Sequence, residues 1–278
     1  MSRLRRPPCR ATRLVVCSVF IAGLVSGEAS AGPPFRTDDS VPVEFGHYEL
    51  YTAAIGTHVK GDTSGGLPNV ELTYGLIPNG QLQIGGQVAF DSPAGERTQF
   101  GYGDTELSFK YRFIEEQTNG FMPQVAIFPA IVFPTGDQRR GLGAGHISVF
   151  LPVWLQKSFG EWTTYGGGGY WVNQDEKTGD RNFWFFGWLL QRKVTEKLTL
   201  AAEIFHQTAD KSGSSESSGF DLDGSAVTLG GGASTGFSLG GSYDFDEHNH
   251  LLFSGGTGLQ NASQTNLGSW YLGWEITY

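Results

Sequence analysis

The sequence predicts an all-β fold, a transmembrane antiparallel β-barrel of about twelve strands that follows a cleaved signal peptide. Three observations predict it. Strand-length segments alternate between apolar and polar residues, and the connections between them run long and short in turn. After residue 31, no apolar stretch is long enough for a helix to cross a bilayer. A chain that spans hydrocarbon without such a helix must close its strands on one another, because an open sheet edge would leave backbone N–H and C=O groups without partners.

The first segment is basic and then apolar. Arg3, Arg5, Arg6, Arg10 and Arg13 precede an apolar run from Leu14 to Val25, and Ala29-Ser30-Ala31 supplies small residues for cleavage before Gly32. The apolar run falls short of the ~20 residues that span a bilayer. Residues 1–31 are therefore expected to be a signal peptide, residues 32–45 an extended arm that is periplasmic or fills the lumen, and residues 46–278 the barrel. Cys9 and Cys17 both lie in the signal, which leaves the mature chain without thiol chemistry. Cleavage removes five of the 19 basic and one of the 28 acidic residues, leaving 14 against 27 and a net charge near −13. So acidic a chain excludes nucleic acid as a partner, since phosphates need concentrated positive charge. Glycine numbers 41, aromatics reach 13% and charged residues are only 17%, below the ~25% of ordinary soluble domains.

The strands follow in order. Residues 46–56 form the first, and the polar stretch containing Gly61-Asp62-Thr63-Ser64-Gly65-Gly66 reads as a long loop after it. Val70, Leu72 and Tyr74 then oppose Glu71 and Thr73, and the tight turn Pro78-Asn79-Gly80 leads to Leu82, Ile84, Val88 and Phe90 opposite Gln83, Gly85 and Gln87. In the next strand Thr105, Leu107, Phe109, Tyr111 and Phe113 face one way, while Asp104, Glu106, Ser108, Lys110 and Arg112 make a charged ladder that a dry core would not accept unpaired. The strand near 121–134 is apolar on both faces. Beyond it Val149, Leu151, Val153 and Leu155 oppose His146, Ser148, Phe150 and Gln156, with Pro152 awkward in the ladder.

Four consecutive glycines, Gly166 to Gly169, imply a close backbone approach or a sharp bend in the wall. An aromatic strand at 183–192 and LTLAAEIFHQ, with Glu203 opposite Leu200 and Ile204, come next. The longest loop, ADKSGSSESSGFDLDG, reads as low-complexity and mobile. The closing strand separates Trp270, Leu272, Trp274, Ile276 and Tyr278 from Ser269, Tyr271, Gly273, Glu275 and Thr277. Lipid outside and a wet lumen inside suit both faces. The lumen is accordingly expected to carry Glu71, Asp104, Glu106, Lys110, Arg112, Glu203, Tyr271 and Glu275.

Several of these stretches resemble a known family. PTGD at 134–137, GYGDTELSFKYRF at 101–113, LQKSFGEWTTYGGGGYWVN at 155–173 and the closing YLGWEITY are similar to the outer-membrane proteins of the meta-pathway phenol-degradation family. The resemblance implies an outer-membrane barrel that passes small molecules, aromatic or hydrophobic compounds among them, and it brings no catalytic residues. The C-terminal strand also resembles the signal read by the machinery that inserts such barrels, and outer-membrane lipid is the expected surround.

Other chemistry finds little support in the sequence. His248-Asn249-His250 looks like a ligand pair but falls in a tight turn. His146-x-Ser148 shares one face, as a hydrolase might need, yet GHISVF lacks the Asn-Gly continuation of the outer-membrane phospholipases, and neither it nor Asp210 has an evident orienting partner. Asp221 and Asp223 lack the later bidentate Glu of a calcium loop. The glycine run has no following Lys-Ser/Thr and so is no phosphate loop. A non-enzymatic channel or transporter without cofactor or metal is the expected function. A structural or receptor barrel with an occluded lumen is the alternative, and a hydrolase stands behind both.

Overall fold

The computed structural model describes residues 34–117, 120–173, 180–209, 216–220, 226–230 and 232–278, with no account of side chains in 216–230. The signal peptide, Asp210, Asp221 and Asp223 lie outside the described residues. β1 (Tyr48–Val59), β2 (Asp62–Ile77) and β3 (Gly80–Asp91) are successive hairpins. β4 (Gln99–Tyr102) and β5 (Thr105–Ile114) both pair with β3 and make one interrupted stave. β6 (Gln124–Ile127) and β7 (Ala130–Phe133) make the next, both lying between β5 and β8 (Ser148–Phe159). β9 (Trp162–Val172), β10 (Phe183–Lys193) and β11 (Leu198–Gln207) continue the meander. A small separate hairpin of β12 (Glu216–Phe220) and β13 (Ala226–Gly230) precedes β14 (Ser234–Asp244), which returns to β11. β15 (Asn249–Gln260) and β16 (Gly268–Thr277) complete the wall, and β16 pairs with β1 from Glu49 opposite Thr277 to His58 opposite Gly268. Twelve antiparallel staves thus close on themselves through the pairing of β1 with β16.

The two interrupted staves have local causes. Pro129 cannot donate to the ladder, although its carbonyl still accepts from the N–H of Phe109 at 3.0 Å. Asp104, at the break before β5, turns its carboxylate to the loop after β7, accepting from Gly136 N at 2.8 Å and Ala144 N at 2.7 Å. That loop carries a 3-10 turn at Gln138–Arg140 and buries Leu142. It is held at the mouth of the barrel by an interior side chain.

Two expectations need correction. Residues 62–68 are not a long loop: β2 begins at Asp62 after the two-residue turn Lys60-Gly61. The stretch reads as a loop because of its glycines, but those glycines admit neighbours. A Cβ at Gly65 would lie 2.1 Å from the Ile55 carbonyl oxygen, and one at Gly66 would lie 1.9 Å from Gln87 Oε1. The connection between β11 and β14 is likewise not wholly irregular, since it contains the β12–β13 hairpin. At Gly167, Gly168 and Gly169 the space a Cβ would need is taken by carbonyl oxygens of Val153, Phe185 and Leu151, 2.1 to 2.5 Å away. The close approach there is by the adjoining strands themselves.

Alternation sorts the two faces. Leu107 (38% exposed), Leu151 (53%), Leu272 (56%) and Trp274 (38%) point out, whereas Ser108, Phe150, Tyr271 and Glu275 point in. Trp184, Phe186 and Trp188 line up outward on β10. An outer face so apolar on every side is a lipid-facing surface.

Candidate functional site: the lumen and the arm within it

The arm is the feature that fills the lumen. Its sequence, PFRTDDSVPVEF from Pro34 to Phe45, has two prolines and no hydrophobic periodicity, so it forms neither helix nor ladder strand and depends on the wall for partners. Phe35, Arg36, Thr37, Asp39, Ser40 and Val43 are all buried. Phe35 packs with Tyr165 and Leu189, and Arg36 stacks on the Phe205 ring at 4.5 Å. The Thr37 N–H donates to Glu203 Oε1 at 2.5 Å, the Ser40 N–H to Gln156 Oε1 at 3.3 Å and the Val43 N–H to Gln81 Oε1 at 2.6 Å. Ser254 Oγ donates to the Pro34 carbonyl at 2.6 Å. Lys110 Nζ, itself over the Phe128 ring at 4.8 Å, donates to Asp38 Oδ1 at 2.9 Å and Asp39 Oδ1 at 3.0 Å. The wall contacts come from β3, β5, β8, β11 and β15, so the arm is tied around most of the circumference.

The residues named from the sequence divide into groups. Lys110 and Glu203 hold the arm. Glu71 accepts from Gln83 Nε2 at 3.0 Å, and Glu275 accepts from Tyr51 OH at 3.0 Å, the same hydroxyl lying 2.6 Å from Glu49 Oε2. Tyr271 packs inside with Tyr51, Ala53, Ile55 and Leu252. Glu106 lies half-buried on the same face as Lys110. Asp104 serves the mouth loop, and Arg112 contacts Asn79 and Gln124.

Sequence reasoning missed an interior aromatic cluster. Phe128, Phe150, Trp154, Trp171, Phe185 and Phe205 are buried together, with Phe150 and Trp171 stacked at 4.8 Å and Trp171 and Phe183 at 5.8 Å. Of these, alternation in the sequence places only Phe150 on the inner face. Stretch 121–134 is apolar on both faces, so parity could not place Phe128, and large side chains on a supposedly wet face gave no other signal.

His146 and Ser148 do come close to one partner, Asn173. Its Oδ1 lies 3.0 Å from His146 Nε2 and accepts from Ser148 Oγ at 2.5 Å, while His146 Nδ1 lies 3.7 Å from Asp180 Oδ2. A nucleophilic serine must pass its proton to a base. Here that proton is directed to an amide oxygen. His248 Nδ1 faces the Thr277 carbonyl at 2.7 Å and His250 Nδ1 faces Asp244 Oδ1 at 2.8 Å, so the two imidazoles are committed to different partners.

At the end where both the arm and β16 terminate, the lumen widens into an open vestibule of about 1210 Å³. It is floored by Val41 to Phe45 and walled by Glu49, Arg112, His250 and Glu275, among others. Asp246, in the β14–β15 turn at its rim, is held below the usual carboxylate range by the Asn249 side-chain amide and the His248 N–H. Short turns mark this end as the periplasmic one.

A closed twelve-stave barrel with an apolar exterior and a plugged polar-aromatic interior defines the chain as an outer-membrane β-barrel. It belongs to the family described as "Putative MetA-pathway of phenol degradation", whose model matches residues 39–275. Among solved structures, it is similar to the COG4313 outer membrane channel from Pseudomonas putida F1, with a TM-score of 0.65, 17% identity, and coverage of 90% of this chain and 100% of that one. It is also similar to the NanC porin, with a TM-score of 0.54, 9% identity and coverage of 82% and 98%. The KdgM porin follows at 0.50, with 7% identity and coverage of 83% and 99%. No curated protein matches the sequence.

Proposed function

We propose that the protein is an outer-membrane channel for small molecules, closed from within by residues 34–45 and opened when that arm leaves the lumen. The observation that carries this reading is the arm's mode of attachment. It is bound by scattered hydrogen bonds to side chains and by one two-carboxylate ion pair, with no strand pairing inside the lumen. A neutral bond of this kind is worth about 0.5–1.5 kcal/mol net. Such a segment can be withdrawn without unmaking the wall.

The interior aromatic cluster supports aromatic or hydrophobic solutes among those carried, since ring faces stabilise flat apolar molecules by offset stacking. The family's description points the same way. The reading is non-enzymatic, since Ser148 Oγ donates to the Asn173 amide oxygen rather than to a base. The outward aromatics of β16 serve lipid contact and recognition by the insertion machinery. The test is solute uptake and single-channel conductance in reconstituted vesicles, for the full chain and for the chain lacking residues 34–45. Conductance that rises severalfold on deletion supports the channel. Vesicles no more permeable than empty ones in both cases would favour the structural or receptor barrel.

A further inference from the structure

Two other buried cations, both lysines, have carboxylate partners. Lys110 meets Asp38 and Asp39, and Lys157 Nζ lies 2.8 Å from Glu116 Oε1. Arg112 differs. Its Nε and Nη2 donate to Asn79 Oδ1 at 3.2 and 2.6 Å, and its Nη1 donates to Gln124 Oε1 at 3.0 Å. Both acceptors are neutral amides. Because a guanidinium can only donate, Asn79 must present its oxygen here, and its own Nδ2 donates onward to Glu115 Oε1 at 2.9 Å. The carboxylate joined to this network, Glu115, is therefore one side chain removed from the arginine.

Three of the five guanidinium N–H groups are committed, which fixes the plane of the fork, and one N–H on each terminal nitrogen is left over. Arg112 is half-buried and lines the vestibule, with Asn79 beside it. A guanidinium held in one plane by neutral amides, at the wall of an open cavity, is matched in geometry and charge by a carboxylate. The chamber also carries Glu49 and Glu275, which share the Tyr51 hydroxyl. An anion in this chamber is thus repelled by the acidic wall and drawn to the arginine.

Val43, Phe45 and Pro78 line the same vestibule, and we propose that Arg112 forms a carboxylate-binding site in it whose ligands are small organic acids with an apolar body. The proposal deepens the channel reading by naming a class of solute, and it rests on that reading for its role. The site itself is tested by binding, which does not require the pore to conduct.

The experiment is titration calorimetry of the full mature chain in detergent with benzoate, and with benzyl alcohol as the neutral counterpart. Benzoate should bind wild type and benzyl alcohol should bind at least tenfold more weakly. Arg112→Gln should weaken benzoate at least tenfold, and Arg112→Lys, which keeps the charge but loses the fork, should fall between. Gln124→Glu is the most telling variant, because it leaves the arginine in place and gives it the carboxylate it lacks. It should also weaken benzoate at least tenfold while heat-modifiable gel migration stays that of wild type. Absence of benzoate binding to wild type, equal binding of the alcohol, or benzoate affinity unchanged in folded Arg112→Gln or Gln124→Glu would each overturn the proposal. Conductance of the arm-deleted chain, measured separately, reports on the channel alone.

Discussion

Lys110 Nζ sits 2.9 Å from Asp38 Oδ1 and 3.0 Å from Asp39 Oδ1, so one lysine of the wall, 3% exposed, bridges two adjacent carboxylates of the arm. Removing one side of a buried ion pair costs ~3–5 kcal/mol, because the other side is left charged without a partner. That exceeds any single neutral bond holding the arm. Lys110→Met should therefore expel the arm and raise single-channel conductance severalfold, approaching the arm-deleted chain. A conductance equal to wild type would mean that the ion pair does not hold the plug.

A second route to the same state changes no charge. Gly187 on β10 faces Thr37, and a Cβ there would lie 2.0 Å from Thr37 Oγ1. Thr37 is fully buried, with its N–H on Glu203, so Gly187→Val leaves the arm no room at that level. The mature chain is expected to lack cysteine, which makes an introduced Ser40→Cys a specific reporter. Maleimide labelling of Cys at position 40 should be slow in the Ser40→Cys chain and at least tenfold faster when Gly187→Val is added. Equal labelling rates would show that the arm stays seated.

The wall was legible in the sequence for a physical reason: lipid and lumen demand opposite residue types, and strand geometry delivers them alternately. Leu107, Leu151 and Leu272 against Ser108 and Glu275 needed only parity. The lock inside was not legible. Asp38 and Lys110 are 72 positions apart, and no spacing rule links a segment without periodicity to a strand. Arg112 could be placed on the inner face, but its lack of a carboxylate depends on Asn79 and Gln124, which arrive from a turn and from another strand. Residues 62–68 read as a loop because glycine marks both turns and close strand contacts, and composition does not tell these apart. The buried aromatics are not legible because alternation predicts a wet inner face, whereas this stretch of the lumen is packed.

The seam between first and last strands ends on a reciprocal pair. The Tyr48 N–H donates to the Tyr278 carbonyl at 2.7 Å and the Tyr278 N–H to the Tyr48 carbonyl at 2.9 Å. The rings stack at 5.4 Å, and His248 stacks on Tyr278 at 4.9 Å from the adjoining turn. Deleting Tyr278 removes both bonds and both ring contacts, a loss of roughly 2 to 6 kcal/mol. The temperature at which the folded band is lost in gel electrophoresis should fall. Tyr278→Phe keeps every one of these contacts and should match wild type, and a deletion that also matched it would show that the seam closes without this residue.

Depth along the wall gives a last test, one that separates a lipid-embedded barrel from a soluble one with an apolar exterior. Leu272 lies near the middle of β16, 56% exposed, opposite Ala54 on β1 and Phe253 on β15. Leu267 is 43% exposed but precedes β16 at the mouth, where its N–H meets the His58 carbonyl at 2.8 Å. In water the two leucines are alike, and arginine at either would be tolerated within about 0.5 kcal/mol. In a bilayer they differ, since arginine costs about 2–4 kcal/mol at the midplane and about 0–1 near the interface. Leu272→Arg should therefore lower the stability of the barrel folded into vesicles by about 2–4 kcal/mol, and Leu267→Arg by less than about 1, as read from denaturant unfolding followed by tryptophan fluorescence. Equal effects at the two positions would remove the bilayer from the account of this outer face.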